Sequence, residues 1–438
     1  MEHAGEMGMA PAAQPTGDGT SRPQPRRLRR WLVGVAVALV AASGIAALAL
    51  RWQERTLHQA EHELASGDPQ RALALVSYFL ESHPEHNRAM ALQARALGAT
   101  GQTGAAIALY EKVGAATVED LHAWARAYLL RQSWSRALPL LTQALRLEPD
   151  NADALHEITG CRVRLGLLQE ALESARLLSQ ISGQEARGLV FVAAIQNDLG
   201  NPKAACEAYQ QIVELVPDGQ GLQIAPEELF VQYGVVLANN GRGNEALPWL
   251  ERSLAVRPTA AAYYYLGNAH SQGARTEAAE QAWERAHQLD PGGVLTIEAL
   301  ANSALQKRDT KAAQKWLNLL GRIAEERSNT AYLFQRFSIL QKDAAATERW
   351  RKKVEELRKL EQRREMIDQL VTQAPYSLWA NVVRAHRFAA AGNWQQAEDM
   401  VRELAREAPQ DEFIRELADA IRQRGKLPAI ERIPLRQH

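Results

Sequence analysis

An alanine recurs through this chain at a nearly constant interval. Ala72, Ala106, Ala137, Ala171, Ala205, Ala246, Ala279, Ala313 and Ala397 are separated by 34, 31, 34, 34, 41, 33, 34 and 84 residues. One such interval is a single supersecondary unit, too short to bury its own apolar face, so the copies must stack and the chain must be a repeat array. Gly67, Gly101, Gly166, Gly200, Gly241 and Gly392 each stand five residues before their alanine, where a positive φ can end one helix and start the next. Pro84, Pro149, Pro217, Pro258, Pro291 and Pro409 each follow it by twelve, where a proline closes the unit because it cannot continue a helix.

Inside a unit the apolar residues recur at helical spacing. Between Val118 and Asn151, Leu121, Trp124, Ala125 and Tyr128 fall on one face of a first helix, and Ala137, Leu138, Leu141, Ala144 and Leu145 on one face of a second. Each unit is therefore a helix hairpin. The small alanines permit the two helices to cross closely, where a bulky side chain would force them apart.

The period, the Trp/Leu, Gly/Ala and Tyr spacing of the first helix, the alanines of the second and the closing proline resemble the tetratricopeptide repeat (TPR). Glu227–Ala260 carries the pattern in Phe230, Tyr233, Gly234, Ala246 and Pro258, and the next copy in Leu266, Gly267, Ala279, Ala286 and Pro291. The resemblance covers nearly all of 53–425 and implies an all-α, right-handed superhelical solenoid whose inner wall, made by first helices, grips peptides. Residues 52–328 are expected to hold about eight repeats, with 87–117 a shortened copy and a short insertion near 220–226. Residues 329–377 are an irregular helical segment, in which Glu348–Thr372 reads as a long or broken amphipathic helix. Residues 378–425 read as a final repeat and a capping helix from Asp411 to Gly425, and 426–438 as a tail.

The first fifty residues differ in kind. Residues 1–25, rich in Pro, Gly, Ala and Thr, cannot bury enough apolar surface to offset the entropy of ordering and read as a disordered tail. Residues 26–51 carry Arg26, Arg27, Arg29 and Arg30 against an uncharged run from Trp31 to Leu50. As a helix this run rises about 30 Å, the thickness of a bilayer's hydrocarbon core, and reads as a single transmembrane helix. Five arginines before it, Arg22 included, against Arg51 and Arg55 after it put the N-terminus in the cytoplasm and the solenoid outside, in a bacterial periplasm. A cleaved secretory signal ending at Ala47-Leu48-Ala49 is the alternative. Gly34, Ala38, Ala42 and Ala46 form a small-residue row suited to a homodimer through this helix.

Chemistry is sparse. Lys plus Arg is 51 and Asp plus Glu is 51, so the net charge is zero and the broad basic field of a nucleic-acid binder is missing. Cys161 and Cys206 are too few for a disulfide framework and read as buried packing. His58 and His62 are spaced like metal ligands, without the glutamate of a zinc-protease motif or a third ligand, and read as exposed histidines. Gly98, Gly101 and Gly104 mark a hairpin turn, since neither a strand nor a Gly-Lys-Ser/Thr accompanies them. No catalytic, metal or cofactor site is expected.

What the resemblance implies about binding is a set of groove-facing residues: His156, Asn197, Asn239, Tyr264, Asn268 and Asn302. Asn268 and Asn302 lie one period apart, and an asparagine ladder can bond the backbone of an extended peptide without reading its sequence. The lysines, arginine and asparagines with which chaperone-binding members clamp a terminal carboxylate are missing. The expectation is a membrane-anchored, non-enzymatic scaffold for protein or peptide partners. The rival is an accessory subunit of an envelope enzyme, secretion, polysaccharide or cytochrome assembly.

Overall fold

The structure, a computed structural model, describes residues 54–323 and 326–435. The tail, the apolar run Trp31–Leu50 and its small-residue row lie outside these residues. Among the described residues the fold is an all-α array of helix hairpins without strands, and no helix is long and apolar enough to cross a membrane.

Ten helix hairpins follow one another among the described residues. They pair α1 (54–65) with α2 (Pro69–Ser82), α3 (Asn87–Ala99) with α4 (Thr103–Val113), and α5 (Val118–Leu130) with α6 (Trp134–Leu147). Next come α7 (Ala152–Arg164) with α8 (Leu168–Ser179), α9 (Glu185–Asp198) with α10 (Pro202–Leu215), and α11 (Pro226–Asn239) with α12 (Gly243–Val256). Then α13 (Ala260–Gln272) pairs with α14 (Thr276–Leu289), α15 (Val294–Gln306) with α16 (Thr310–Ile323), α17 (Ser328–Leu340) with α18 (Ala344–Gln373), and α19 (Leu378–Ala390) with α20 (Trp394–Glu407). Helix α21 (Glu412–Gln423) ends the series.

A single backbone position makes every hairpin. Gly67, Gly101, Gly166, Gly200, Gly241 and Gly392 have positive φ there, and Gln132, Ala274, Arg308 and Lys342 adopt the same conformation in the hairpins that lack a glycine. The turn is thus imposed by the packing of the two helices as well as by glycine's freedom. Lys342 reveals why the stretch after residue 328 looked irregular. It opens a hairpin like the others, but Thr347 stands where the marker alanine belongs and the second helix runs on to 30 residues. Val354 and Leu357 of α18 pack with Ala331 of α17, while Ile367 and Val371 near its end belong to the next core.

The chain divides into two compact units after Leu92. In the first, Asp68 caps α2 by accepting from the Arg71 N–H at 3.0 Å, and Phe79 is buried with the His83 ring stacked on it.

The second unit closes on itself. Ile107, Leu141, Ile158, Leu165 and Leu167 share one apolar cluster with Ile367, Val371, Val383, Phe388 and Leu404, and the direct contacts across it join the last hairpin and the end of α18 to α6 and to the α7–α8 turn. Polar contacts edge this seam: Arg136 Nη2 donates to Asp399 Oδ1 at 3.2 Å, Gln396 Nε2 donates to Ser135 Oγ at 2.7 Å, and the Tyr376 hydroxyl donates to Glu170. Gly166 is required twice over here, because its φ is +69° and a Cβ on it would lie 3.1 Å from Val371 Cγ1. Residues 426–435, expected as a tail, are part of the same assembly. Ile433 is fully buried, and the Arg363 guanidinium of α18 donates to the Glu431 and Ile433 carbonyls.

Candidate functional site

First helices of consecutive hairpins are tied by polar contacts about one period apart. His122 Nε2 lies 2.8 Å from Glu157 Oε2, with Arg126 3.2 Å from the other oxygen, and Arg187 lies 3.3 Å from Asp153. Glu298, only 4% exposed, accepts from Arg327 Nε at 3.1 Å, Asn329 Nδ2 at 2.9 Å and Thr330 Oγ1 at 2.6 Å. A buried carboxylate is tolerated because these donors replace its water.

Against this framework the six expected groove residues separate. Asn197 and Asn239 are exposed at the C-terminal ends of α9 and α11. His156 is half-buried edge-on to Phe191, with ring centroids 4.9 Å apart. Burial, followed by the positive charge of Arg187, holds its pKa below the usual imidazole value.

The remaining three lie on neighbouring helices. Asn268 Oδ1 accepts from Trp283 Nε1 at 3.1 Å, and the same indole N–H reaches the Tyr264 carbonyl at 3.2 Å. Trp283 can approach so closely because Gly267 has no side chain: a Cβ there would lie 2.4 Å from Cδ1 of the indole. Asn302 Oδ1 accepts from the Arg336 guanidinium. Both amide oxygens are thus engaged within the fold, leaving the NH2 groups of Asn268 and Asn302 as the donors available to a ligand.

Arg336 is the next rung of this ladder, one period beyond Asn302, and the sequence reading missed it together with Tyr332. The ring of Tyr332, 41% exposed, has the Arg336 guanidinium 5.9 Å from its centroid on α17 and that of Arg358 5.8 Å away on α18. Neither arginine forms an ion pair among the described residues. The cleft beside them, about 400 Å³, is lined by Tyr332, Gln335, Val354 and Gln362, by the cations Arg351, Arg358 and Lys359, and by one acid, Glu355, which pairs with Arg351 and Lys359. An exposed ring flanked by two guanidiniums without counter-ions can take an apolar or aromatic group with a carboxylate beside it. Counting 34 from Glu298 and Asn302 would have found both residues; the missing alanine at Thr347 concealed that the repeat continued.

Among the described residues no group of three His, Cys, Asp or Glu side chains could hold a metal ion. Cys161 and Cys206 are both buried and unpaired as disulfides. Cys161 donates to the Trp134 carbonyl at 3.1 Å, and burial pushes its thiol up to about 12.

Part of the chain matches a known repeat family. The tetratricopeptide-repeat profile matches residues 57–117, 122–186 and 234–294. No curated protein matches the chain in sequence. Among solved structures, MamA from Desulfovibrio magneticus RS-1 is 22% identical over 40% of this chain and 93% of its own, with a TM-score of 0.35. YrrB, described as a TPR protein with an unusual peptide-binding site, is 22% identical over 45% of this chain and 96% of its own, with a TM-score of 0.38. The C-terminal part of a TPR repeat-containing protein from Cytophaga hutchinsonii is 15% identical over 53% and 94%, with a TM-score of 0.41.

Proposed function

We propose that this all-α TPR solenoid is a non-enzymatic scaffold that holds an extended, acidic segment of a partner protein along α13, α15 and α17. The observation that carries the reading is Tyr332, exposed between Arg336 and Arg358, whose charges have no counter-ion among the described residues. The NH2 groups of Asn268 and Asn302 would bond the backbone of the segment. An aspartate or glutamate would meet the guanidiniums at its end, and an apolar neighbour would lie on the ring.

The location follows from residues outside the described structure. The arginine-flanked run Trp31–Leu50 supports a single-pass anchor with the solenoid on the extracytoplasmic side. A scaffold fixed at a membrane gains effective concentration for a partner in or near the same membrane. Purified full-length chain titrated with fluorescent acidic, neutral and basic peptides of one length tests the binding reading. Acidic peptides should bind at least tenfold more tightly than basic ones, and the preference should collapse in Arg336→Glu. Equal affinity for all three, or no change in that variant, would remove the site. A reproducible turnover of any substrate by the same preparation, abolished by one point change, would remove the non-enzymatic reading.

A further inference from the structure

Asn268, Asn302 and Arg336 stand 34 residues apart on α13, α15 and α17, and toward a ligand all three can only donate. The Asn268 oxygen is taken by Trp283 Nε1 and the Asn302 oxygen by the Arg336 guanidinium, which itself has no acceptor. A backbone N–H laid against these rungs would stay unpaired, at a cost, whereas a backbone carbonyl would meet a donor at each.

The spacing of the rungs selects among backbone conformations. Helix α15 touches α17 through the bond between Asn302 and Arg336, and Tyr264 of α13 packs in one apolar cluster with Ile297, Leu300 and Ala301 of α15. Helices in such contact lie about 8–10 Å apart. Along a β-strand, carbonyls that point the same way recur every second residue, about 7 Å, and the third residue faces the opposite side. Along a polyproline II helix they recur every third residue, about 9.3 Å. That conformation has no internal hydrogen bonds, so its carbonyls are free to accept, and proline, which favours it, lacks the N–H for which the ladder has no partner. Tyr332, 41% exposed, adds an aromatic face at the Arg336 end, and such faces line the grooves that take proline-rich segments. The acids nearby are occupied. Glu298, one turn from Asn302, is held by Arg327, Asn329 and Thr330, and Glu355 by Arg351 and Lys359.

We infer that the partner segment is proline-rich and lies along α13, α15 and α17 as a polyproline II helix, with carbonyls three residues apart on Asn268 and Asn302 and its acidic residue at Arg336 and Arg358. This inference rests on the acidic-segment reading above and adds the conformation and composition of that segment. A flexible segment of equal charge must first be ordered on binding, a cost that prolines remove in advance.

The test is fluorescence titration of purified full-length chain with labelled peptides of one length. The set holds three Ala-Pro-Pro triplets with Asp-Asp at one end or at the other, the same peptides with every proline replaced by glycine, and the same with Asn-Asn for Asp-Asp. The tighter of the two acidic proline peptides should bind at least tenfold more tightly than its glycine counterpart, and Asn268→Ala should weaken it at least fivefold. That variant leaves the Trp283 indole N–H its bond to the Tyr264 carbonyl, at 3.2 Å. Should it not fold, the peptide comparison in the unaltered chain decides. Equal affinity of proline and glycine peptides, both above their Asn-Asn forms, would overturn the polyproline inference and leave the acidic-segment reading standing. No advantage of Asp-Asp over Asn-Asn would remove that reading and the inference with it. Affinity unchanged in a folded Asn268→Ala chain would overturn the ladder as the contact.

Discussion

Arg136 and Asp399, 263 residues apart in sequence, meet with Nη2 3.2 Å from Oδ1. An open solenoid brings together only neighbouring repeats, so this pair marks a closure that the repeat pattern does not contain. The ion pair itself contributes little: the Arg136 side chain is 44% exposed, and such pairs are worth on the order of 0.2–1 kcal/mol. The apolar cluster beside it, from Leu141 and Leu167 to Val371 and Phe388, carries the closure.

Gly166→Ala should therefore cost more than the same change at Gly200. Both glycines have positive φ, +69° and +74°, which penalises any L side chain by about 1–2 kcal/mol. Only at 166 would the new Cβ also press on Val371, at 3.1 Å, whereas nothing lies within 4 Å at 200. Urea unfolding of the two variants should separate them by about 1 kcal/mol or more, a cost typical of overpacking. Equal losses would mean that Val371 does not sit against this turn.

Glu298→Ala should destabilise the end of the array by about 1–3 kcal/mol, because the fully buried Thr330 hydroxyl and the Asn329 amide lose their acceptor. Hydrogen exchange should show the loss concentrated in α15 and α17. A uniform change along the chain would argue against a local clamp.

His156 supplies a test in acid. Its folded pKa is depressed by burial and by Arg187, with Glu157, Asp153 and Gln223 also acting on it, so the fold favours the neutral ring. That preference costs nothing above the unfolded value of about 6.5; stability is then lost as the pH falls from there through the folded value. Thermal midpoints measured from pH 7.5 to 5 should fall less steeply in His156→Gln than in the unaltered chain. Parallel curves would remove the histidine from the account.

The Cys161 thiol, pushed up to about 12 by burial, should resist iodoacetamide at pH 8 in the folded chain and react once urea unfolds it. Its stabilising effect is complete below the unfolded value near 9 and is lost as the pH rises from there through the folded value. Labelling of the native protein at a free-thiol rate would show that α7 opens far more readily than its packing implies.

The hairpins were legible because their signals are local: alanine at the crossing, glycine five residues before it, proline twelve after. Gln132, Ala274, Arg308 and Lys342 show the limit of such reading, since tertiary packing forces the same turn without its residue. Of the expected groove residues, Tyr264, Asn268 and Asn302 fall on adjoining helices, but no spacing rule could show that Trp283 and Arg336 engage the two amide oxygens. Tyr332 and Arg336 were hidden by one substitution, Thr347 for the marker alanine. The seam was not legible at all, because contacts between residues more than 200 apart leave no periodic trace in a chain whose pattern is set by nearest neighbours.

The central claim, that the Tyr332 end of the first-helix surface receives an acidic segment, is tested most directly by a photo-crosslinking amino acid at position 332 of the full-length chain in intact cells. Mass spectrometry should map the adducts to a segment rich in Asp and Glu, and introducing Arg336→Glu should remove them. Adducts that fall on segments without acidic residues, or that survive the charge reversal, would contradict it.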